Sequence, residues 1–124
     1  MADTFAKTAG FGDNLPGEAA ALRWLAEAEA AGGIRVVRVL SVSTEELVEE
    51  HVATGAPTAA AARRIGASLA RTHAAGAPWL GCAPEGWEGE PWCGRARTPY
   101  VARDDAPSRW GAFFAEYRIM NYVR

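Results

Sequence analysis

Residues 4–8, Thr-Phe-Ala-Lys-Thr, decide how the rest of the chain is read. Polar and apolar residues alternate here as they do in a short strand, so Phe5 and Lys7 share one face. Lys7 is the only lysine in the sequence, and the other twelve cationic side chains are arginines. The sequence therefore predicts a first strand over residues 3–8 that presents a single lysine on the same face as a phenylalanine.

A helix is predicted after this strand. Either Asp13 or Asn14 can cap its first turn, where Pro16 is well tolerated. The pair Gly32-Gly33 can end it, because glycine readily adopts the left-handed conformation found after helices. The intervening residues are mostly strong helix formers. We therefore expect the helix to run to Ala31.

One carboxylate shares the apolar stripe of this helix. Glu18, Leu22 and Leu25 are spaced i, i+4 and i+7, which places them in line and predicts that the leucines face the core. Glu18 also lies in the first turn, where the helix dipole favours an acid without any partner. The alternative is an ion pair with Lys7. We expect that pair, with the charged atoms within about 4 Å of each other.

Two more strands are predicted between this helix and the middle of the chain. Residues 34–40 are rich in β-branched side chains and alternate little, which is typical of an inner strand or one covered on both faces. A turn is expected over residues 41–45. Residues 46–52 again have strand character despite three acids, and they end at the Thr-Gly-Ala-Pro break of residues 54–57. Compositionally, the chain becomes helical after this break.

A second helix is predicted over residues 58–75. Ile65, Leu69 and His73 are spaced i, i+4 and i+8 and form one stripe. A histidine on an apolar stripe is usually packed and hydrogen-bonded, and no nucleophile or carboxylate is near it in the sequence. We therefore expect His73 to be a packed residue at the helix end rather than a general base.

The last third of the chain divides into a long loop and an aromatic helix. Residues 76–108 are rich in glycine and proline and contain Trp79, Trp87 and Trp92, so the loop either serves a ligand or simply packs. From Ser108, a possible cap, a helix with a broad apolar face is predicted. That face carries Trp110, Phe113, Phe114, Tyr117 and Met120.

Several of these segments, taken in order, resemble the fructosamine (ketosamine) kinase family. They are Phe5-Ala6-Lys7, residues 18–25, residues 34–40, residues 69–76 and residues 110–119. The resemblance implies an α+β, partial protein-kinase-like fold. It would consist of the remnant of a small lobe, with three antiparallel strands and one helix, followed by the first helices of the large helical lobe.

The resemblance also implies a division into lobes and a set of ligand contacts. Residues 1–52 would be the partial small lobe, 53–57 the hinge, and 58–124 the start of the large lobe with its substrate-side loop at 76–108. Lys7 would contact the α and β phosphates of ATP, with Glu18 positioning it. The Glu50 carbonyl and the Val52 amide would contact adenine. Glu49, at the back of that pocket, departs from the apolar residue usual in the family.

The implied activity is phosphorylation of sugar adducts of amines, with ATP and Mg²⁺ as cofactors in a full-length parent protein. Phosphoryl transfer needs a loop over the phosphates, an acid that orients the attacking hydroxyl, and magnesium ligands. None of these motifs is found, and the four aspartates, Asp3, Asp13, Asp104 and Asp105, fit none of them. We therefore expect an internal or truncated portion of a kinase that is inactive alone, with no catalytic or metal-binding residue in this chain.

A different class of function stays open beside the kinase. The chain could be a noncatalytic module that docks on a partner through its aromatic C-terminal helix. The same helix predicts self-association through Trp110, Phe113, Phe114 and Tyr117, whose exposure to water would be unfavourable.

Composition narrows the remaining classes. A chain of 124 residues with 49% hydrophobic residues fits one domain, and a net charge of -2 gives no general attraction to nucleic acid. No apolar run approaches the length of a membrane span, and no secretory signal is recognisable, so we expect a cytoplasmic protein. Cys82 and Cys93 have neither a zinc-site spacing nor a disulfide framework, and we expect two free thiols.

Overall fold

A computed structural model describes residues 3–93 and 96–123, and within them the fold is α+β. The strands and helices, in chain order, are β1 (Thr4–Thr8), α1 (Leu15–Ala26), β2 (Val39–Val42), β3 (Glu46–Glu50), α2 (Ala59–Ala75), β4 (Trp92–Cys93), β5 (Ala96–Arg97) and α3 (Trp110–Phe114). The predicted fold class is confirmed at this level: one sheet of three antiparallel strands combined with helices.

The three-stranded sheet has the order β1-β3-β2, and both pairs of neighbours are antiparallel. The strand that carries Lys7 therefore pairs directly with β3. Lys7 lies opposite Leu47, and Phe5 lies opposite Glu49, so these four side chains occupy one face of the sheet. β2 is an edge strand.

The prediction of an inner strand over residues 34–40 was wrong in both extent and position. The strand covers Val39–Val42 instead. Three of the amides before Val39 donate to side-chain oxygens instead of to a neighbouring strand. The Ile34 amide donates to the Thr72 hydroxyl, the Val36 amide to the Glu29 carboxylate, and the Arg38 amide to the Glu50 carboxylate. An amide bonded to a side chain is not available for a ladder, so the strand begins only at Val39, although the Arg38 carbonyl accepts a hydrogen bond from the Glu50 amide at 3.0 Å.

The predicted boundaries of the first helix are confirmed. The Asn14 side chain accepts a hydrogen bond from the Gly17 amide at 3.1 Å and caps α1. A Cβ at Gly17 would approach the Asn14 side-chain nitrogen to 2.5 Å, so the cap requires glycine there. After Ala26 the helix tightens into a 3-10 turn that ends at Gly32, with φ of 81°.

The core lies between α1 and the sheet. Leu15, Ala19 and Leu47 are fully buried, and Leu22 packs against them. Leu25 does not follow its stripe into the core, because 45% of its surface is exposed. The prediction that both leucines of the stripe face the core was therefore right for Leu22 and wrong for Leu25. Leu25 is in the last turn of α1 and is not among the residues packed against this core.

The second helix forms where it was predicted, but its packing differs. The Thr58 side chain accepts from the Ala61 amide and caps α2. Ile65 and Leu69 are 53% and 39% exposed, and His73 is exposed, so the predicted packing of His73 was wrong. The helix contacts the rest of the fold through Thr72, which is buried. The Thr72 hydroxyl accepts a hydrogen bond from the Ile34 amide at 2.9 Å. Thr72 is in the C-terminal part of α2, and the turns before it, which carry Ile65 and Leu69, are left exposed.

The long loop and the C-terminal helix pack against each other. The Trp79 indole donates to the Val101 carbonyl at 2.7 Å, and the Val101 amide donates to the Gly81 carbonyl at 2.8 Å. Gly81 has a φ of +85°, and a Cβ there would meet the Phe113 ring at 2.6 Å. Phe113 is only 3% exposed. Loop and helix thus build a second, smaller core.

The C-terminal helix is irregular. α3 continues into a π turn over Ala115–Ile119 and a 3-10 turn over Met120–Tyr122. The prediction of Ser108 as its cap was wrong, because Arg109 precedes the helix and no side chain caps the first turn. The backbone is extended at Arg109, which takes the capping position one residue after Ser108.

Two further sequence predictions concern cysteines and membranes. Cys82 is a buried free thiol, as expected, whereas the side chain of Cys93 lies outside the described part of the chain. Gly94, which the resemblance placed in the substrate-side loop, also lies outside it. Among the described helices, none has both the length and the apolar character needed to cross a membrane.

Candidate functional site

The predicted ion pair between Lys7 and Glu18 is confirmed. The Lys7 ammonium donates to the Glu18 carboxylate at 2.6 Å, and the two side chains are 36% and 41% exposed. The hydrogen bond to Glu18 is the main reason that the pKa of Lys7 is raised above its ordinary value, although partial burial opposes the rise. Lys7 therefore stays a cation well beyond neutral pH.

The pair joins two elements that the core holds in place. Lys7 lies opposite Leu47 in the ladder, and Leu47 is buried under Leu15 and Ala19 of α1. Glu18 is in the first turn of the same helix. Because the helix and the sheet are fixed by the leucine contacts, the charged groups meet at the edge of the core. The N-terminal end of the helix favours the negative charge of Glu18 as well.

A cleft of about 570 Å³ opens beside this ion pair. Lys7 and Glu18 lie on one of its walls, and Trp24 and Leu25 of α1 continue that wall. The opposite wall comes from the long loop and consists of Cys82, Pro84, Thr98 and Tyr100. Its lining is mostly apolar, and its size falls in the range of small-molecule sites.

Carboxylates outnumber cations around Lys7. Besides Glu18, both Asp13 and Glu49 are close enough to raise the pKa of Lys7 through their charge. The Asp13 carboxylate also accepts a hydrogen bond from the Gly10 amide at 2.9 Å. An anionic group that enters the cleft would therefore meet one ammonium and several acids. The negative charge of these acids disfavours the binding of such a group unless it brings a cation with it.

Glu49 lies on the Lys7 face of the sheet. It is half-buried in the central strand, and burial, followed by the charge of Glu18, raises its pKa, while Lys7 partly lowers it. It is absent from the set of residues that line the cleft. Its predicted place at the back of an adenine pocket stays a prediction, since the sheet face it occupies is the one that carries α1.

Glu50 and Val52, the two predicted adenine contacts, lie apart from the cleft. The Glu50 carboxylate accepts from the Arg38 amide and from the Arg35 guanidinium, which hold its pKa below the ordinary range. Glu50 is three ladder positions from Leu47, the partner of Lys7, which corresponds to about 10 Å along the strand. Val52 is half-exposed beyond the end of β3. The structure therefore brings together Lys7 and Glu18 and leaves Glu50 and Val52 elsewhere.

The far wall of the cleft was not predicted from the sequence. Cys82, Pro84, Thr98 and Tyr100 belong to no motif, and they meet α1 only through the tertiary fold. The one available signal was the unusual length of the irregular segment 76–108, which predicted either a ligand-binding loop or packing. Trp79 takes the packing role, since it bonds Val101 and lies under the Arg103 guanidinium.

The acids near the cleft do not form a metal site of recognisable composition. Across residues 3–93 and 96–123, no group of three or more His, Cys, Asp and Glu side chains is arranged to hold a metal ion.

Comparisons with known proteins found no relative of this chain. No family model matches the sequence, and neither the curated proteins nor the solved structures include a significant match.

Proposed function

We propose that this chain is a fructosamine-kinase-like protein that contributes the lysine–glutamate pair of an ATP-dependent phosphotransferase. The phosphate acceptor would be an alcohol group of a sugar–amine adduct. One observation carries the proposal: a strand lysine bonds a helix glutamate at 2.6 Å, and the cleft begins beside that pair. In protein kinases an ion pair of this kind must form before ATP is correctly held.

The order of elements supports the same assignment. A lysine strand is followed by a glutamate helix and then by two more strands, and the sheet joins the lysine strand to the last of them. The resemblance in sequence predicts that order. The ammonium of Lys7 has three donor hydrogens, of which the Glu18 bond uses one. The others can reach phosphate oxygens.

The proposal assigns a limited part of catalysis to these residues. Lys7 would bind phosphate oxygens, and Glu18 would hold Lys7 in place. Mg²⁺ belongs to the proposed reaction as a partner of ATP, but the acids around Lys7 do not form a metal-binding set among the described residues. A kinase of this kind is expected in the cytoplasm.

Weak nucleotide binding follows from this limited set of contacts. One ammonium surrounded by acids should hold ATP with a dissociation constant in the millimolar range, about 4 kcal/mol of binding free energy. Isothermal titration calorimetry with ATP and magnesium measures it. Lys7→Met should abolish the binding, whereas Arg23→Met, which removes a cation from the last turn of the same helix as Glu18, should leave it unchanged. Micromolar affinity would contradict the proposal, and so would equal binding by both variants.

Phosphoryl transfer itself should not exceed background in this chain. Positioning and charge neutralisation supply most of the rate in this reaction, and no aspartate here belongs to a motif that would orient the substrate hydroxyl. A radiolabelled phosphate assay with a fructosamine substrate tests this point. Turnover above background would refute the assignment of a purely positioning role.

A second candidate function rests on the exposed aromatic residues of the C-terminal helix. Trp110 and Phe114 are 61% and 43% exposed, and their rings lie 5.5 Å apart. Phe113, which was predicted to take part in self-association, is buried and cannot contact another molecule directly. A binding module would use Trp110 and Phe114 to dock on a partner or a second copy.

Light scattering after size-exclusion chromatography tests this second function. If the chain self-associates through this surface, the wild type should elute as a dimer at high concentration and Trp110→Ser should elute as a monomer. Ile65→Ser is a matched control, because Ile65 is 53% exposed on a different helix. A wild-type monomer at high concentration would contradict self-association.

A further inference from the structure

Glu49 is a half-buried carboxylate that does not line the cleft. Across the described residues its side chain makes neither a hydrogen bond nor an ion pair. The nearby Glu50 carboxylate, by contrast, is held by Arg35 and Arg38. A carboxylate that is partly removed from water without a partner is costly, and such groups are unusual in folded proteins.

The register of the sheet places this carboxylate beside Lys7. Lys7 pairs with Leu47, so Glu49 is its diagonal neighbour two positions along β3, on the same face. Diagonal neighbours of this kind are about 7–8 Å apart, a separation that long side chains can bridge. Lysine and glutamate are both long and flexible. A rotation of the two side chains can therefore bring the ammonium to Glu49.

Lys7 is thus one ammonium between two carboxylates on different elements. Glu18 is on helix α1, whereas Glu49 is on the central strand of the sheet that carries Lys7 itself. The Lys7 side chain is 36% exposed and is therefore not locked by packing. A contact to Glu18 depends on the position of the helix, and a contact to Glu49 does not.

We propose that Glu49 is the alternative partner of Lys7, a positioning residue that holds the ammonium over the sheet whenever Glu18 disengages. The inference rests on the proposed function only in taking Lys7 as the ligand-binding cation. With two partners, Lys7 keeps a carboxylate contact when its hydrogen bond to Glu18 breaks. Loss of the helix contact then changes the partner of Lys7 without releasing it into solvent.

The electrostatic environment agrees with this arrangement. The charge of Glu49 is among the causes that raise the pKa of Lys7, and the charge of Lys7 lowers the pKa of Glu49 against the effect of burial. Asp13 and Glu18 are the other acids that act on Lys7. Asp13 is already engaged by the Gly10 amide, so Glu49 is the carboxylate left to replace Glu18.

The single lysine makes the proposal directly measurable. In a chain labelled with carbon-13 lysine, the ε-carbon signal belongs to Lys7 alone, and its pH titration gives the pKa of that group without ambiguity. The titration is run on the full chain and on Glu49→Gln, Glu18→Gln and the double variant. Glu46→Gln is the matched control, since Glu46 is on the same strand but opposite Thr8, on the other face.

The proposal predicts a non-additive result. In the wild type, Glu49→Gln should lower the Lys7 pKa only slightly, because Glu18 holds the ammonium. In the Glu18→Gln background, where Glu49 has taken over, the same substitution should lower it by at least about twice as much. Equal effects in the two backgrounds would overturn the proposal, because they would indicate charge acting at a distance without a change of partner.

Two controls keep the test decisive. If Glu18→Gln loosens α1, as circular dichroism would reveal, Glu18→Asp provides a second background in which a shorter side chain withdraws the carboxylate. Glu46→Gln should leave the Lys7 pKa unchanged in every background. The titration contains no nucleotide, so its failure is separate from a failure of ATP binding. A chain that fails calorimetry with ATP can still show the change of partner, and the reverse also holds.

Discussion

Replacing Lys7 by methionine and Glu18 by glutamine, singly and together, measures how much their ion pair contributes to folding. Both side chains keep more than a third of their surface in water, at 36% and 41%. Exposed ion pairs contribute about 0.2–1 kcal/mol, because water screens the attraction and two long side chains lose freedom. We expect a coupling energy in that range. The main effect of the pair would then be to position the Lys7 ammonium rather than to stabilise the fold.

Salt and pH give the coupling energy two further signatures. Raising the ionic strength from 0.1 to 1 M shortens the screening length from about 10 to about 3 Å, so the coupling should shrink substantially. The pKa of Lys7 is raised in the folded chain, so the stabilisation is complete below the ordinary lysine pKa. It should disappear as the pH rises through the raised pKa.

Urea unfolding of the four proteins, followed by tryptophan fluorescence, provides the cycle. The chain has five tryptophans, and Trp24 lies on the helix that carries Glu18. The double-mutant cycle cancels effects that each substitution has on its own. A coupling energy above about 2 kcal/mol, or one that salt does not change, would refute the reasoning, because it would require a pair shielded from water.

Three further perturbations test other parts of the structure. Leu47→Ala should destabilise the chain by about 2–5 kcal/mol in urea unfolding, since Leu47 is fully buried, whereas a loss below about 1 kcal/mol would contradict its place in the core. Gly81→Ala should lower the melting temperature, because its φ of +85° suits glycine and the new methyl group would meet Phe113; an unchanged melting temperature would argue against this packing. Glu50→Gln should lose stability relative to the wild type above the ordinary glutamate pKa, because the pKa of Glu50 is lowered by Arg38 and Arg35 in the folded chain. That difference should vanish as the pH falls through the lowered pKa, and a difference that persisted in acid would be inconsistent with it.

Local signals in the sequence were sufficient for several elements. The alternation of residues 4–8 predicted β1, Asn14 was one of two residues predicted to cap α1, and the helix predicted over residues 58–75 agrees with α2. The Lys7–Glu18 contact was also predictable. Lys7 is the only lysine in the sequence, and Glu18 lies on the apolar stripe of α1, where a carboxylate favours a cationic partner. These features depend on residues close in sequence or on a single pairing of charges.

The features that were missed depend on contacts between distant residues. Residues 34–38 have the composition of a strand, but their amides bond the side chains of Glu29, Glu50 and Thr72, and no local pattern reveals such acceptors. The exposure of the α2 stripe was missed for the same reason, because the helix packs near its C-terminal end, at Thr72, and its earlier turns stay exposed. Tertiary contacts override local preference in both places.

The cleft shows the same division between local and distant information. Its Lys7 wall follows from the strand and helix patterns, whereas the wall that contains Cys82 and Tyr100 is far away in sequence. The side chains there have no periodicity, and contacts between distant residues hold the loop in position, among them Phe113 on Gly81 and the Trp79 indole on the Val101 carbonyl. A single sequence could therefore predict the charged half of the site and not its apolar half.

The most direct test of a phosphate-binding role for Lys7 is to titrate ATP into the chain while observing its carbon-13-labelled lysine. Only Lys7 contributes a signal, so the observation is made at the proposed contact itself. We predict that the ε-carbon signal shifts and saturates with a dissociation constant in the millimolar range. We also predict that Glu18→Gln weakens this binding. A lysine signal that does not move as ATP is raised through the millimolar range would contradict the account.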